Sequence, residues 1–175
     1  MKKIIFVTVA VIGFNIAAQA QERRVQGITL TGVSYGMAPG TNGTTHIVEL
    51  NYSKFLRKKC MLNLSGLYEF GAIQTTKVNN FLFNGGIDYT TFQIGNHIFF
   101  NAGLSVIAGG ETLQSSVNAD NKKSFVGGFS GNVNVRIFLF DGVVLQLKAE
   151  QNHLPGSMLG KWYSSYYVGI RYCFF

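Results

Sequence analysis

The side chains capable of acid–base or metal chemistry are few and scattered in this sequence. His46, His97 and His153 stand far apart, without the His-x-x-x-His or Cys-His spacing that forms a metal site. Some lipid-modifying outer-membrane enzymes use a His with a Ser or an acid, and the pairs that could serve here are His153 with Ser157 and His46 with Glu49. Neither pair has a specific spacing. We therefore expect no catalytic residue, no metal site and no cofactor.

The charged residues in the middle of the chain share one feature. Each lies on the polar side of a run in which apolar and polar residues alternate, so all would face the same way in β-strands. They are Glu49, Glu69, Asp88, Arg136, Lys148, Glu150 and Arg171. Because both signs occur, the sequence predicts that these side chains pair with one another as a structural charge network inside a closed sheet.

The elements that would position these residues are strands. After residue 20 no segment keeps a helical period, whereas period-2 alternation recurs in runs of roughly ten residues, the length of a tilted membrane strand. The alternation in the first run slips near Val33, where we expect a β-bulge. The runs are Gly27–Met37, Thr45–Phe55, Cys60–Ala72, Val78–Thr90, His97–Gly109, Ser124–Leu139, Val143–Asn152 and Tyr166–Phe175.

The composition restricts the class of protein. Hydrophobic residues make up 47% of the 175 residues and charged residues 13%, about half the usual charged share of roughly 25%. So few charges cannot cover a typical soluble enzyme. The formal net charge is +7, but its basic clusters (Arg23-Arg24, Arg57–Lys59 and Lys122-Lys123) are far apart and not interleaved with aromatic residues. Direct contact with nucleic acid is therefore not expected.

Alternation alone does not say which face of the sheet is outside. A soluble lipocalin-like barrel would place the apolar face inward around a ligand. Two features favour a membrane barrel: the polar face is rich in Gly, Asn and Ser, and aromatic residues gather near strand ends like an interfacial girdle. These aromatics are Phe55, Phe70, Tyr89, Phe138, Phe140, Trp162, Tyr163, Tyr172 and Phe174. The predicted fold is all-β, an eight-stranded antiparallel up-and-down transmembrane β-barrel of outer-membrane type.

The connections between the runs predict an orientation. Residues 56–59, 91–96 and the Asp141-Gly142 turn are short, whereas residues 38–44, 73–77, 110–123 and 153–161 are on average longer and more polar. Short periplasmic turns and longer external loops alternate in this way in outer-membrane barrels. Both chain termini would then lie on the periplasmic side.

The N-terminus has the layout of an export signal. Lys2 and Lys3 precede an apolar stretch over residues 4–14, and Ala18-Gln19-Ala20 is a small-x-small cleavage site. The apolar stretch is shorter than the ~20 residues of a transmembrane helix. We expect residues 1–20 to be a cleaved signal peptide, residues 21–175 to form the barrel, and the protein to be located in the cell outer membrane.

The two cysteines are not expected to pair. Cys60 begins the third run on its apolar side, and Cys173 lies near the end of the eighth run on its polar side. Residues on opposite faces of non-neighbouring strands do not meet the geometry of a disulfide.

The C-terminal run, YYVGIRYCFF, resembles the sorting signal of bacterial outer-membrane barrels. The matching positions are Tyr166, Val168, Gly169, Tyr172 and Phe174, with Phe175 one residue beyond the usual terminal aromatic. This resemblance implies that the barrel-assembly machinery handles the chain during biogenesis and that outer-membrane lipids surround it afterwards.

The whole chain is similar to the TraO family of conjugal transfer proteins from Bacteroides-type conjugative transposons. The similarity includes the signal peptide, the opening QGITLTGVSYG, the strand with Glu49-Leu50-Asn51-Tyr52, the Arg57-Lys58-Lys59 turn and the C-terminal run. It implies a structural or assembly component of a type IV secretion-like transfer apparatus, with other conjugal transfer proteins as partners. The alternative is a general small outer-membrane barrel, adhesin-like or lipid-modifying, unrelated to conjugation.

Overall fold

A computed structural model of the protein describes residues 27–40, 43–73, 76–115, 121–140, 142–157 and 160–174. The described residues form eight strands, which close into one barrel in sequence order. The strands are β1 (Thr29–Gly40), β2 (Gly43–Arg57), β3 (Cys60–Ile73), β4 (Thr76–Ile94), β5 (Ile98–Ser115), β6 (Asn121–Phe140), β7 (Val143–His153) and β8 (Trp162–Phe174). The predicted all-β, up-and-down antiparallel barrel is confirmed.

The closure of the barrel is made by its first and last strands. β1 pairs antiparallel with β8 from Thr29 opposite Phe174 to Met37 opposite Tyr166. Every other pair of neighbours is also antiparallel and consecutive in sequence. Closure gives each of the eight strands two partners, although residues 121–128 of β6 pair with β5 alone. Within the closed part of the sheet the backbone hydrogen bonds are satisfied without water.

The outer surface carries the apolar residues of the alternation. Leu104 is 74% exposed, Val106 67% and Leu50 63%, values that would be very unfavourable in water over so continuous a surface. All five carboxylates that the structure describes are buried instead: Glu49, Glu69, Asp88, Glu111 and Glu150. This arrangement excludes a lipocalin-like barrel with an apolar interior, and it is the one that lipid requires.

Most strands are longer than the sequence predicted. Only residues 41–42 separate β1 from β2, and residues 74–75 separate β3 from β4, so the expected loops over 38–44 and 73–77 are largely strand. We call this end of the barrel, which also has the connections 116–120 and 154–161, the upper rim. The opposite end, with the connections 58–59, 95–97 and 141–142, is the lower rim. The predicted contrast between short and long connections therefore holds only for β5–β6 and β7–β8.

The predicted bulge near Val33 is wrong. β1 keeps an uninterrupted register with both neighbours, and the pattern near Val33 was obscured because Gly32 and Gly36 occupy inward positions. Register shifts occur instead at Phe55/Arg57, Thr90/Phe92 and Phe138/Phe140, each just before a lower-rim connection. Gly142, with φ of 97°, forms the last of these turns in a conformation that other residues rarely adopt.

Part of the predicted aromatic girdle points inward. Phe55 is buried, and Phe138 packs against the apolar residues at the lower end of the interior. Tyr163 packs against the corresponding residues at the upper end. Strand ends near the rims supply apolar side chains to both faces, so proximity to a strand end does not fix the face. Tyr89, Trp162, Tyr172 and Phe174 are exposed on the outer surface.

Within the described residues there is no helix long and apolar enough to cross a membrane. The predicted signal peptide over residues 1–20 and the side chain of Phe140 lie outside the described part of the protein.

Candidate functional site: the barrel interior

The interior consists of a polar middle between two apolar clusters. The lower cluster comprises Ile28, Leu30, Phe55, Met61, Val144 and Cys173, with Phe138 packed against it. The upper cluster comprises Ala38, Ile47, Leu67, Leu82, Ile107, Val126, Leu154 and Tyr167, with Tyr163 packed against it. Charged side chains in the middle are thereby separated from water at both rims, which makes their mutual pairing decisive.

Lys148 connects two acidic residues in the polar middle. Its Nζ lies 2.7 Å from Oε1 of Glu49 and 2.9 Å from Oε2 of Glu150. The same ammonium lies 4.1 Å from the centre of the Tyr167 ring, a cation–π distance. Asn84 donates to Glu150 over 2.9 Å. The three charged side chains come from β2 and β7, so this group ties opposite parts of the barrel together.

Arg136 and Asp88 form a second buried pair. Nη2 of Arg136 lies 2.6 Å from Oδ2 of Asp88, and Asn134 donates to the same oxygen over 2.9 Å. Nη1 of Arg136 lies 3.0 Å from the sulfur of Met61 in the lower cluster. The guanidinium therefore lies between β4 and the lower apolar cluster. Asp88 neutralises its charge on one side, and the sulfur of Met61 contacts it on the other.

Arg171 lies close to this pair without an ion pair of its own among the described residues. Nη1 of Arg171 donates to the hydroxyl of Ser53 over 2.5 Å, and Ser53 donates in turn to Asn63. Arg136 repels Arg171 electrostatically, and the carboxylates of Glu49 and Asp88 attract it. Arg171 is thus part of the polar middle through hydrogen bonds and longer-range attraction.

Glu69 departs from the predicted network. Its carboxylate accepts hydrogen bonds from Thr45 and from Asn80, the latter over 3.0 Å. The charge that acts on Glu69 is that of Glu111, which has the same sign. Within the described residues Glu69 therefore lies above the ion-paired group and is hydrogen-bonded to neutral partners. The alternation in β3 predicted that Glu69 points inward, but it did not predict its height along the barrel.

Inward glycines provide the space for these side chains. A Cβ on Gly103 would lie 2.0 Å from Oδ1 of Asp88 and 2.7 Å from the amide nitrogen of Asn132. A Cβ on Gly32 would lie 2.7 Å from Cγ of Arg171, and one on Gly36 would lie 2.4 Å from the Tyr167 ring. These inward glycines thus make room for the charged and aromatic side chains of the interior.

The interior cavities are small. One of about 20 Å³ lies among the polar residues, bordered by Glu49, Asp88 and Arg171, and one of about 10 Å³ lies higher, beside Glu69 and Tyr163. Each has the size of a single water site. An eight-stranded barrel encloses only enough space for side chains to fill, and here they fill it.

Sequence reasoning missed the two apolar clusters. Their members occupy inward positions at which the alternation predicts polar residues, such as Ile47, Leu67, Leu82 and Val144. The sequence does contain apolar residues at inward-facing positions of several strands. That these residues form two layers becomes evident only when the pairing between the strands is known.

The pairs considered for enzyme chemistry are not brought together. His46 lies on the outer face, hydrogen-bonded to the hydroxyl of Tyr35 over 2.6 Å, whereas Glu49 is inside. The ring of His153 is tilted by 41° against that of Trp162, with ring centres 4.1 Å apart, whereas Ser157 donates to Glu111 over 2.5 Å. No group of three or more His, Cys, Asp or Glu side chains in the described ranges could hold a metal ion. Cys60 and Cys173 are both free.

The residues of the predicted sorting signal lie on β8. Tyr166, Val168, Tyr172 and Phe174 point outward and are exposed. Gly169 points inward, and a Cβ there would lie 2.2 Å from the hydroxyl of Ser34 on β1. These residues therefore form an apolar outer row, while Gly169 allows the last strand to pack against the first.

Comparison with known families identifies the chain. The family model described as "Conjugative transposon protein TraO" matches residues 23–174. The chain belongs to the TraO family. No curated protein matches it. The suspected resemblance to TraO proteins is thereby confirmed, and with it the association of this barrel with conjugative transposons.

Solved structures show what this TraO barrel is similar to in fold. Neisserial surface protein A is 9% identical, with a TM-score of 0.65, and the match covers 84% of this chain and 96% of that one. The N-terminal β-barrel domain of Pseudomonas aeruginosa OprF is 10% identical, with a TM-score of 0.63, covering 85% and 100%. Ail, the attachment invasion locus protein of Yersinia pestis, is 10% identical, with a TM-score of 0.61, covering 86% and 100%. The fold is that of small outer-membrane barrels.

Proposed function

We propose that this TraO protein is a structural component of a conjugative, type IV secretion-like DNA transfer apparatus at the outer membrane, and that it anchors or scaffolds larger parts rather than conducting DNA. Membership of the TraO family supports the first part of the proposal. The filled interior supports the second.

The observation that carries the scaffold role is the packing of the barrel. Charged residues around Lys148 and Arg136 are paired across the interior, and apolar clusters close the interior above and below them. A DNA strand would have to displace all three layers. Removing one partner of a buried pair alone costs roughly 3–5 kcal/mol, so a rigid, filled barrel suits a fixed attachment point better than a channel.

The proposed route to the membrane begins with the N-terminal signal. Residues 1–20 direct export and are cleaved, and the barrel-assembly machinery inserts residues 21–175 through the C-terminal strand. The lower rim then faces the periplasm and the upper rim faces outward. The outward apolar surface of the strands supports a location in lipid.

The proposed contacts with other transfer proteins use the lower rim or a lipid-facing strand surface. Arg57, Lys58 and Lys59 are exposed at the β2–β3 turn, where a periplasmic component could reach them. The proposed role requires neither an enzymatic activity nor a cofactor, and it involves no direct contact with nucleic acid.

Gene deletion tests the proposal. Deletion in the donor should lower transfer frequency sharply and deletion in the recipient should not, because the apparatus is assembled in the donor. Complementation with the intact gene should restore transfer. Normal transfer from the deleted donor would contradict the conjugation role and leave a general small barrel as the function.

The alternative of an adhesin-like barrel has some support in the upper rim. Residues 121–128 of β6 pair only with β5, so this hairpin projects beyond β7. One fold neighbour carries attachment in its name, although at 10% identity that likeness concerns the fold alone. Loss of cell attachment together with normal transfer in the deletion strain would favour this alternative.

A further inference from the structure

The outer surface of the barrel has an apolar groove of about 920 Å³. Its walls include Tyr52, Leu64, Phe83 and Tyr172, and its floor includes Gly66 and Gly85. A Cβ on Gly66 would meet nothing closer than 4.0 Å, and one on Gly85 nothing closer than 3.4 Å. The backbone itself thus forms the floor, and the volume matches that of small-molecule sites, which are roughly 300–1,000 Å³.

Positive charge lies immediately below this groove. Lys54 occupies the next outward position after Tyr52 on β2 and is exposed. Arg57 is also exposed and lies opposite Cys60, on the same outer face as Lys54, which lies opposite Leu62. Because the register shifts between them, Lys54 and Arg57 lie opposite residues that are two positions apart on β3. The two cations are therefore about 7 Å apart along the strand, a gap that their long side chains can close around one anionic group.

No carboxylate in the described part of the barrel can pair with these cations on the outer surface, because all the described carboxylates point inward. The residues that flank Lys54 on neighbouring strands are Thr29 and Leu62, which are neutral. Lys54 and Arg57 therefore face the surroundings of the barrel at the level where a lipid headgroup would lie, directly below an apolar groove.

A second outer groove provides a contrast. It has a volume of about 570 Å³ and is bordered by Phe100, Val133, Leu147 and Tyr166. The outward positions below it, Ile98, Ile137 and Leu145, are apolar, and the ammonium of Lys148, which also borders it, is inside the barrel. Both grooves are apolar, but of the two only the first has exposed cations beside it.

We propose that the first groove binds an anionic glycerophospholipid, with its acyl chains against Leu64 and Phe83 and its phosphate between Lys54 and Arg57. The inference rests on the membrane-barrel fold and is independent of the role in conjugation. Acyl chains fit a groove with a glycine floor. Each cation near an anionic headgroup strengthens binding about fivefold, which gives the site a preference for anionic over zwitterionic lipid.

Native mass spectrometry of the purified, folded protein tests the proposal. Phosphatidylglycerol and phosphatidylcholine with identical acyl chains are offered together, and phosphatidylglycerol should be retained preferentially. The Lys54→Gln/Arg57→Gln variant should bind phosphatidylglycerol roughly 30-fold more weakly and phosphatidylcholine unchanged. Gly85→Leu, which fills the floor, should weaken both lipids.

The matched control uses the upper rim. Lys77 and Lys123 also point outward, two strands and two residues apart, at a separation of about 12 Å. Lys77→Gln/Lys123→Gln removes the same charge and should leave lipid retention unchanged.

Equal retention of the two lipids, or equal loss in both double variants, overturns the proposal. Displacement of lipid by a second copy of the chain would also overturn it and make the groove a dimer interface. All variants should first show the heat-dependent gel mobility of a folded barrel.

Discussion

The buried pair of Asp88 and Arg136 allows a sharp test at the level of single residues. Asp88→Asn keeps the shape of the side chain but replaces one accepting oxygen by a donor NH2 group, and it leaves the guanidinium of Arg136 without its negatively charged partner at 2.6 Å. Because an unpaired charge in a closed interior is costly, we expect the free energy of unfolding to fall by about 3–5 kcal/mol. Urea unfolding of the protein in lipid vesicles measures this change.

Glu69→Gln is the matched control for that substitution. It also replaces a buried carboxylate by an amide, but the described partners of Glu69 are Thr45 and Asn80, both neutral. Asn80 can turn its amide to accept from the new one, and an acidic neighbour no longer repels the site. The loss should be about 1 kcal/mol or less. A loss equal to that of Asp88→Asn would contradict the pairing described for the polar middle.

The inward glycines give a second residue-level prediction. Gly103→Ala places a methyl group 2.0 Å from Oδ1 of Asp88, and in a filled interior the carboxylate must move away from Arg136. Overpacking of this kind costs about 1–3 kcal/mol. Gly131→Ala, on the outer face with Leu104 at 3.8 Å, should leave stability unchanged or raise it slightly. The same unfolding measurement compares the two.

At the level of strands, the sequence predicted which side chains point inward or outward better than it predicted where each strand begins and ends. Lipid on one side and a polar interior on the other impose period-2 alternation, which is why β7 and β8 could be read residue by residue. Near the rims this constraint weakens, because Ile47 and Val144 point inward to close the interior. Residues 38–44 and 73–77, which were expected to be loops, are largely strand. The boundaries of the strands are determined by pairing between strands, which a single sequence does not display.

The last strand has a separate role in assembly. Phe174 lies on the outer row of β8, in edge-to-face contact with Tyr172 at 4.9 Å between ring centres, and lies opposite Thr29. If this row is the sorting signal, Phe174→Ala should reduce the heat-modifiable folded form of the protein in outer membranes. Phe92→Ala, an equally large change at an exposed aromatic of β4, should not. Normal assembly of a chain truncated before Tyr172 would contradict this assignment.

For the whole molecule, the sequence predicted a closed barrel with a charged interior, and the structure adds that apolar clusters close the interior at both ends. Tyr167 belongs to the upper cluster and lies against the ammonium of Lys148, so the layers are mechanically continuous. The height of each residue along the barrel decides its layer. That height depends on how all the strands are shifted relative to one another. This shift places Glu69 at a different height from the cations.

This layering leads to the last prediction, which concerns permeation. Water or ions crossing the barrel would have to pass Phe55 and Met61 at the lower end, the ion pairs in the middle, and Leu154 at the upper end, all of them buried. The interior cavities of about 20 and about 10 Å³ do not join the two rims. Planar bilayers containing the purified protein should therefore show no large, stable conductance. The heat-dependent gel shift of the same preparation confirms that folded barrels are present, so a silent bilayer reflects a closed interior. A large stable conductance would show that the layers open, and it would replace the scaffold role with that of a channel.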